Sequence, residues 1–470
     1  MTAATAETIA AIPLSSSLKD LEKGMAQAGS YADWSELALQ HDMQSGGTRW
    51  RETLETTLYD YTEIRSRHEK LRQWLAQRAS SELLYALNEG VHGNMGGMGR
   101  PILYSRALSG TKQMIEDYVG AIAQALNFIH RCPEQEISQT EKVDFFHRAS
   151  HCYGRSALLL SGGAGLIYFH HGVVQELIDH DLLPNVISGA SAGAIMAAQL
   201  GTLSNEELKQ GYFTKKRYHA PTQTRMLDVI MGKVEPVDLK EAREQLLDEI
   251  IPRDITFQEA FEKTGRYINI SISPAGKHQS SRLMNAITSP NVYIRAAVSA
   301  SIAIPGLLAP ERLYGVNHFI VSLINPVVVP FIRDVKTQQY KGLRNALSVS
   351  TVRVAGELLT VVERLLAGRG TRGKALAAQL AYLTAMLDQS YLGDINIMLS
   401  KSDFKWRQAL FEFRPGEVES MIQAGMRSTW PKISMIRNAA LISQTLDRVL
   451  EELSMDAMGC NTRAKHHVYA

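Results

Sequence analysis

The chain has little cysteine, almost no charge imbalance and no long uninterrupted apolar run. Its three cysteines, Cys132, Cys152 and Cys460, are odd in number and share no close spacing. That excludes a disulfide framework and a CxxC-type zinc site, and it points to a reducing, cytoplasmic compartment. Fifty basic residues against 48 acidic ones leave a formal net charge of +2. No global field therefore recruits nucleic acid, and we expect no nucleic-acid partner. The longest uncharged stretch, 182–205, is broken by Pro184, Gly189, Gly193 and Gly201, whereas a bilayer span needs about 20 unbroken apolar residues. The N-terminus carries no basic segment ahead of an apolar one, so it does not read as a secretory signal. A soluble or peripheral protein is the expectation.

What is present is ordinary globular composition, 45% apolar, 21% charged and 7% aromatic over 470 residues, enough for two or three hydrophobic cores. Residues 1–30 are weakly patterned and read as a leader, with a packed arm as the alternative. Helical periodicity then dominates. Leu54, Leu58, Tyr61 and Ile64 share one stripe, and Ile115, Tyr118, Val119, Ile122, Leu126 and Ile129 form a clearer one that starts after Ser109-Gly110-Thr111. Between them the glycine-rich run Val91–Pro101 has no preceding strand and no Gly-Lys-Ser/Thr, so it reads as a loop and not as a phosphate cradle.

The pattern changes near residue 155. Ser156–Leu160 is a short apolar run ending in Ser161-Gly162-Gly163-Ala164-Gly165, a helix-length segment follows over 166–180, and Val186-Ile187-Ser188 makes a second strand. Strands separated by a helix of that length form a parallel βαβ unit. Capping boxes open helices at Ser204–Glu207 and Thr256–Glu259, and further strands are expected at 267–273, 318–324 and 394–399. The closing helix carries Ile442, Leu446, Val449, Leu450 and Leu453. The apolar positions from Val352 to Leu366, followed by Arg369, Arg372 and Lys374, read as core packing or as an element touching lipid.

One motif carries a clear mechanism. Gly189-Ala190-Ser191-Ala192-Gly193 directly follows a strand and opens a small-residue helix, the placement a G-x-S-x-G elbow requires. There the serine sits on a strained turn and its flanking glycines, Gly189 and Gly193, avoid Cβ clashes. Ser191 is the candidate nucleophile. Ser161–Gly165 ends the neighbouring strand and opens a helix, so the amides of Gly162, Gly163 and Ala164 are candidate donors to a tetrahedral oxyanion. The spacing does not fit the dinucleotide fingerprint G-x-G-x-x-G. No metal and no organic cofactor is called for.

These two elements, with 28 positions between Gly163 and Ser191, resemble the patatin-like phospholipase family. Trp34–Leu37, Thr48-Arg49-Trp50, 87–94, Ser289–Val292, Asn317–Ser322, Gly393-Asp394-Ile395 and Thr429–Lys432 resemble the branch with an extra N-terminal helical domain, which includes triacylglycerol lipases of fungi and plants and bacterial relatives. The resemblance runs from about residue 30 to 455. It implies an α/β, patatin-like parallel-sheet hydrolase core over 155–335 and 391–455, an N-terminal helical domain over 31–150, a helical insertion over 336–390, and a tail from 456 to 470. It further implies ester hydrolysis of a glycerolipid, triacylglycerol or phospholipid, through an acyl-enzyme on Ser191, with a membrane or lipid-droplet surface as a partner.

Two departures accompany the resemblance. The family's further loop glycine is Ile167 here, with Gly165 as its substitute. The family's serine works with an aspartate in an Asp-Gly motif between the Pro-Gly segment and the Asn-His strand. Here Pro305-Gly306 runs through Pro310 into Glu311 and on to Asn317-His318, and the 470 residues contain no Asp-Gly dipeptide. Either the Pro310/Glu311 junction omits a segment, or the protein is a relative without turnover that binds lipid or serves as a scaffold, or another base serves. For the last, the sequence offers Asp394, Glu311, His170, His171 and His318.

Overall fold

A computed structural model of the chain describes residues 17–211, 213, 247–248, 250–251, 254–272, 282–303, 316–326, 329, 393–409 and 413–466. The expected helical insertion over 336–390, Glu311 and the Pro310/Glu311 junction lie outside them.

Among the described residues six strands form one sheet. They are β1 (Arg155–Leu160), β2 (Val186–Gly189), β3 (Tyr267–Ile272), β4 (Arg282–Met284), β5 (Val316–Leu323) and β6 (Ile395–Met398), in the spatial order β4-β3-β2-β1-β5-β6. All neighbours are parallel except β3 and β4. Side chains alternate faces along a strand. Leu158 and Leu160 accordingly join the large core while Ala157 and Leu159 join a smaller one across the sheet with Val186, Val321 and Leu323. Both faces are covered, so β1 reads as an unbroken apolar run.

The chain moves outward from β1 in one direction through β2 and β3 and in the other through β5 and β6. Turns at the carboxyl edge beside β1 therefore splay apart and leave a crevice, the usual place for a ligand in an open α/β sheet.

The N-terminal part is helical: α1 (Leu18–Gln27), α2 (Tyr31–Ser45), α3 (Gly47–Glu52), α4 (Tyr61–Gln77), α5 (Ser80–Asn88), α6 (Gln113–Arg131) and α7 (Gln139–Tyr153). The stripe expected on α6 is buried throughout, from Ile115 to Ile129, and each such side chain contributes about 1.5–3 kcal/mol relative to exposure. The stripe drawn from Leu54 to Ile64 is not one helix. Asp60 accepts the amides of Thr62 and Glu63 and so starts α4 at Tyr61, which leaves Leu54 and Leu58 in the irregular segment before it.

Nor are all of residues 1–30 a leader. Ser17 and Asp20 form a reciprocal capping box, and Leu21 and Met25 of α1 are buried against Trp34, Leu37 and Trp430.

Between the strands lie α8 (Ile167–Asp179), α9 (Ala192–Thr202), α10 (Asn205–Lys209), α11 (Phe257–Thr264) and α12 (Ile294–Ala303), and after β6 come α13 (Trp406–Ala409), α14 (Glu417–Thr429) and α15 (Ile433–His466). Both expected capping boxes are formed, at the starts of α10 and α11. The closing helix α15 differs from expectation. It runs past residue 456, and Ile442, Leu446, Val449 and Leu453 pack with Leu126, Phe145 and Phe146 of the N-terminal helices. Among the described residues no helix is long and apolar enough to cross a membrane.

Candidate active site

Strand β2 ends at Gly189, and after two connecting residues, Ala190 and Ser191, the chain enters α9. The reversal is concentrated in Ser191, whose φ of 51° and ψ of −118° put an L-residue in left-handed territory. Such a conformation costs on the order of 1–3 kcal/mol and persists only where its surroundings hold it. The flanking glycines supply close approach. A Cβ on Gly189 would lie 2.1 Å from the carbonyl oxygen of Gly193, and one on Gly193 would lie 2.0 Å from that of Leu160. The elbow is thus pressed against the end of β1, where Ala190 also donates its amide to Leu160 at 3.3 Å. The Ser191 amide donates to Ser301 Oγ at 2.9 Å. Ser191 is partly exposed, and no described residue hydrogen-bonds its Oγ.

The glycine-rich turn leaves the end of β1, and since β1 and β2 are parallel neighbours it emerges on the same edge as the elbow. Ser161 fastens it on three sides. Its amide donates to Ser322 O at 3.1 Å, its hydroxyl accepts the Ile324 amide at 2.8 Å, and its carbonyl accepts from His170 Nε2 at 2.9 Å. Beyond it Gly163 packs on Ile324, and Ala164 turns with φ of 47° into a short 3-10 segment, Ala164–Leu166, that touches α9. Among the described residues the amides of Gly162, Gly163 and Ala164 donate no hydrogen bond. Ile167 is the first residue of α8 and is buried in the core.

The described alternative bases, His170, His171, His318 and Asp394, fall elsewhere. His170 Nδ1 accepts from Ser322 Oγ at 2.7 Å while Nε2 donates to the Ser161 carbonyl, so both ring nitrogens are committed to the turn's framework. Burial pushes its pKa down to about 4, the Ser161 carbonyl pulling weakly the other way, and the ring is neutral at pH 7. His171 is buried between Tyr168 and Phe213.

His318 pairs in register with Ser156, whereas Ser322 pairs with Leu160 at the elbow's end of β1. Four residues of strand, about 13 Å at ~3.3 Å each, separate the two levels. Asp394 lies at the same far edge, accepting the Phe319 amide at 2.8 Å. His318 and Asp394 both line a cavity with Tyr104, Tyr153 and Asn438 at the amino edge of the sheet. Burial lowers the His318 pKa, with Asp394 opposing. Neither reaches Ser191, which corrects their candidacy. Ser301 was not singled out from the sequence, because nothing local marks a serine within a run of small helical residues.

Residues 158–321 match the family described as patatin-like phospholipase, and residues 12–151 match a domain of unknown function, DUF3336. The Arabidopsis thaliana protein named triacylglycerol lipase SDP1L is 27% identical, over 92% of this chain and 58% of that one. Triacylglycerol lipase ptl2 of Schizosaccharomyces pombe is 33% identical over 62% of this chain and 47% of that one, and ptl3 of the same yeast is 27% identical over 91% and 96%. The chain spans about half the length of SDP1L and ptl2. The solved structure of the type III effector protein ExoU aligns over 63% of this chain and 53% of that one with 16% identity and a TM-score of 0.27, too slight a likeness to carry an argument. With the elbow on its parallel sheet and the helical region ahead of it, the chain carries a patatin-like phospholipase domain over 158–321 behind an additional N-terminal domain over 12–151.

Proposed function

We propose that the protein is a serine hydrolase of glycerolipid acyl esters. Ser191 Oγ attacks the acyl carbonyl, and the amides of Gly162, Gly163 and Ala164 receive the oxyanion. The alcohol departs with a proton, and water then cleaves the acyl-enzyme to release the fatty acid and restore Ser191. The observation that carries this reading is the left-handed backbone of Ser191 between β2 and α9, beside a turn whose amides are uncommitted. The names of the relatives as triacylglycerol lipases support the substrate class.

A second reading, a lipid-binding or scaffold relative of low turnover, is favoured by one observation. No described group hydrogen-bonds Ser191 Oγ, and the chain has no Asp-Gly. Without a base, loss of rate on the order of 10⁴-fold follows.

The partner proposed is a lipid–water interface on the cytoplasmic side. Trp406, 59% exposed and edge-on to Phe404, begins α13, which packs on the Ala164–Leu166 turn. An aromatic there offers an anchor beside the crevice.

Labelling by a fluorophosphonate probe, located by mass spectrometry, and fatty-acid release from a trioleoylglycerol emulsion and from phosphatidylcholine vesicles test the proposal. Labelling of Ser191 with turnover supports the hydrolase. Binding of either lipid without labelling supports the second reading. A Ser191→Ala variant that labels and hydrolyses like the native chain would overturn the assignment of Ser191.

A further inference from the structure

We infer that Ser301 is a positioning residue of the elbow. Its hydroxyl holds the Ser191 amide, and with it the left-handed backbone from which the serine side chain projects. The inference rests on the reading of Ser191 as nucleophile and adds a residue 110 positions away that governs it.

Ser301 lies on α12 and is 1% exposed. Its Oγ accepts the Ser191 amide at 2.9 Å and donates its own proton to the Ser271 carbonyl at 2.8 Å. Ser271 stands one residue before the end of β3, so one hydroxyl ties the carboxyl edge of β3, the helix α12 and the elbow together. Both of its polar functions face the protein interior. Rotating the hydroxyl away would leave the Ser271 carbonyl and the Ser191 amide unpaired, and buried backbone groups are rarely left so.

The elbow needs such a partner for a local reason. Ser191 is the N-cap residue of α9, and the amides at a helix start have no intrahelical acceptor. Here the cap residue also sits at φ 51°, a region that side-chain-bearing residues seldom occupy. The contacts of Gly189 and Gly193 fix the path on either side, and the peptide plane ahead of Ser191 is held at both ends: its carbonyl, that of Ala190, accepts the Gly193 amide at 2.9 Å, and its amide is held from outside the elbow by Ser301. Because the Ser191 amide is taken up by it, that amide is not a donor to an oxyanion.

The experiment compares the native 470-residue chain with Ser301→Ala, Ser301→Thr and Ser191→Ala. Backbone hydrogen exchange is read on peptides covering 188–195, and the rate of fluorophosphonate labelling and the kcat and KM for a soluble short-chain ester are read alongside. We expect the Ser191 amide of Ser301→Ala to exchange at least about tenfold faster at unchanged protection of β1 and β3. Labelling and kcat should fall about tenfold or more with KM within about twofold, since misplacing a reacting atom acts on the chemical step. Ser301→Thr, which keeps the hydroxyl, should restore both. Equal exchange at 188–195 in the native chain and Ser301→Ala overturns the inference, whatever the labelling does. Faster exchange in a native background that labels nowhere removes the nucleophile reading instead and still supports Ser301 as the residue holding the elbow. Failure of Ser301→Thr to restore exchange, with its melting temperature unchanged, also overturns the inference.

Discussion

Gly193 and Leu160 are packed so closely that a methyl group on the first would come within 2.0 Å of the carbonyl oxygen of the second. The obstacle is backbone and cannot swing aside as the end of a side chain would. Gly193→Ala should therefore force the start of α9 off β1, at a cost of at least about 3 kcal/mol, and chemical denaturation should show it as a lower midpoint with an unchanged slope. A fully stable Gly193→Ala protein would mean that the elbow is not seated on β1.

His318 and Asp394 lie at the opposite edge of the sheet from Ser191. His318→Ala and Asp394→Asn are expected to leave the rate of fluorophosphonate labelling at Ser191 within about threefold of native, once corrected for the folded fraction. A loss of 100-fold or more from either would show that the edge assignment misses a base.

His170 predicts a pH dependence with a definite sign. Its pKa is held down at about 4 by burial, against an ordinary 6.5 in the unfolded chain. Between those values the unfolded chain binds the proton and the folded chain does not. The contribution to stability is therefore complete above about pH 6.5 and is lost as pH falls toward 4, amounting to about 3 kcal/mol across the window. Urea unfolding between pH 7.5 and 4.5 checks this by comparison with His170→Gln, whose curve should be flatter. Equal slopes for the two proteins would contradict the neutral, doubly bonded imidazole.

Trp406 should matter to lipid and not to chemistry. In a Ser191→Ala background, where turnover does not confuse binding, Trp406→Ala should reduce co-flotation with phosphatidylcholine vesicles or a trioleoylglycerol emulsion about tenfold, the scale of removing one large apolar side chain from an interface. In the native background the same substitution should leave labelling of Ser191 in detergent-free solution within about twofold. Unchanged flotation would exclude this face as the contact.

The sequence by itself determined the parts governed by short-range chemistry. The parallel β1-α8-β2 unit follows from an apolar run, a helix-length segment and a second strand. The elbow follows from two glycines and a serine after a strand, and two helix starts follow from Ser-x-x-Glu-type boxes whose bonds span three residues. What it misjudged were boundaries set by competition among neighbours. Asp60 starts α4 where periodicity alone continued, and α1, weakly patterned, is held by Trp430 from the far end of the chain. The roles of the histidines and of Asp394 depended on which edge of the sheet each residue reached, which register decides and residue type does not. Ser301 against Ser191, and the α8–α14 crossing in which a Cβ on Gly172 would lie 1.9 Å from Ile422 O, are likewise invisible in one dimension. Each joins segments more than a hundred residues apart, and only packing of the whole sheet and its helices brings such groups within a hydrogen bond or a backbone contact.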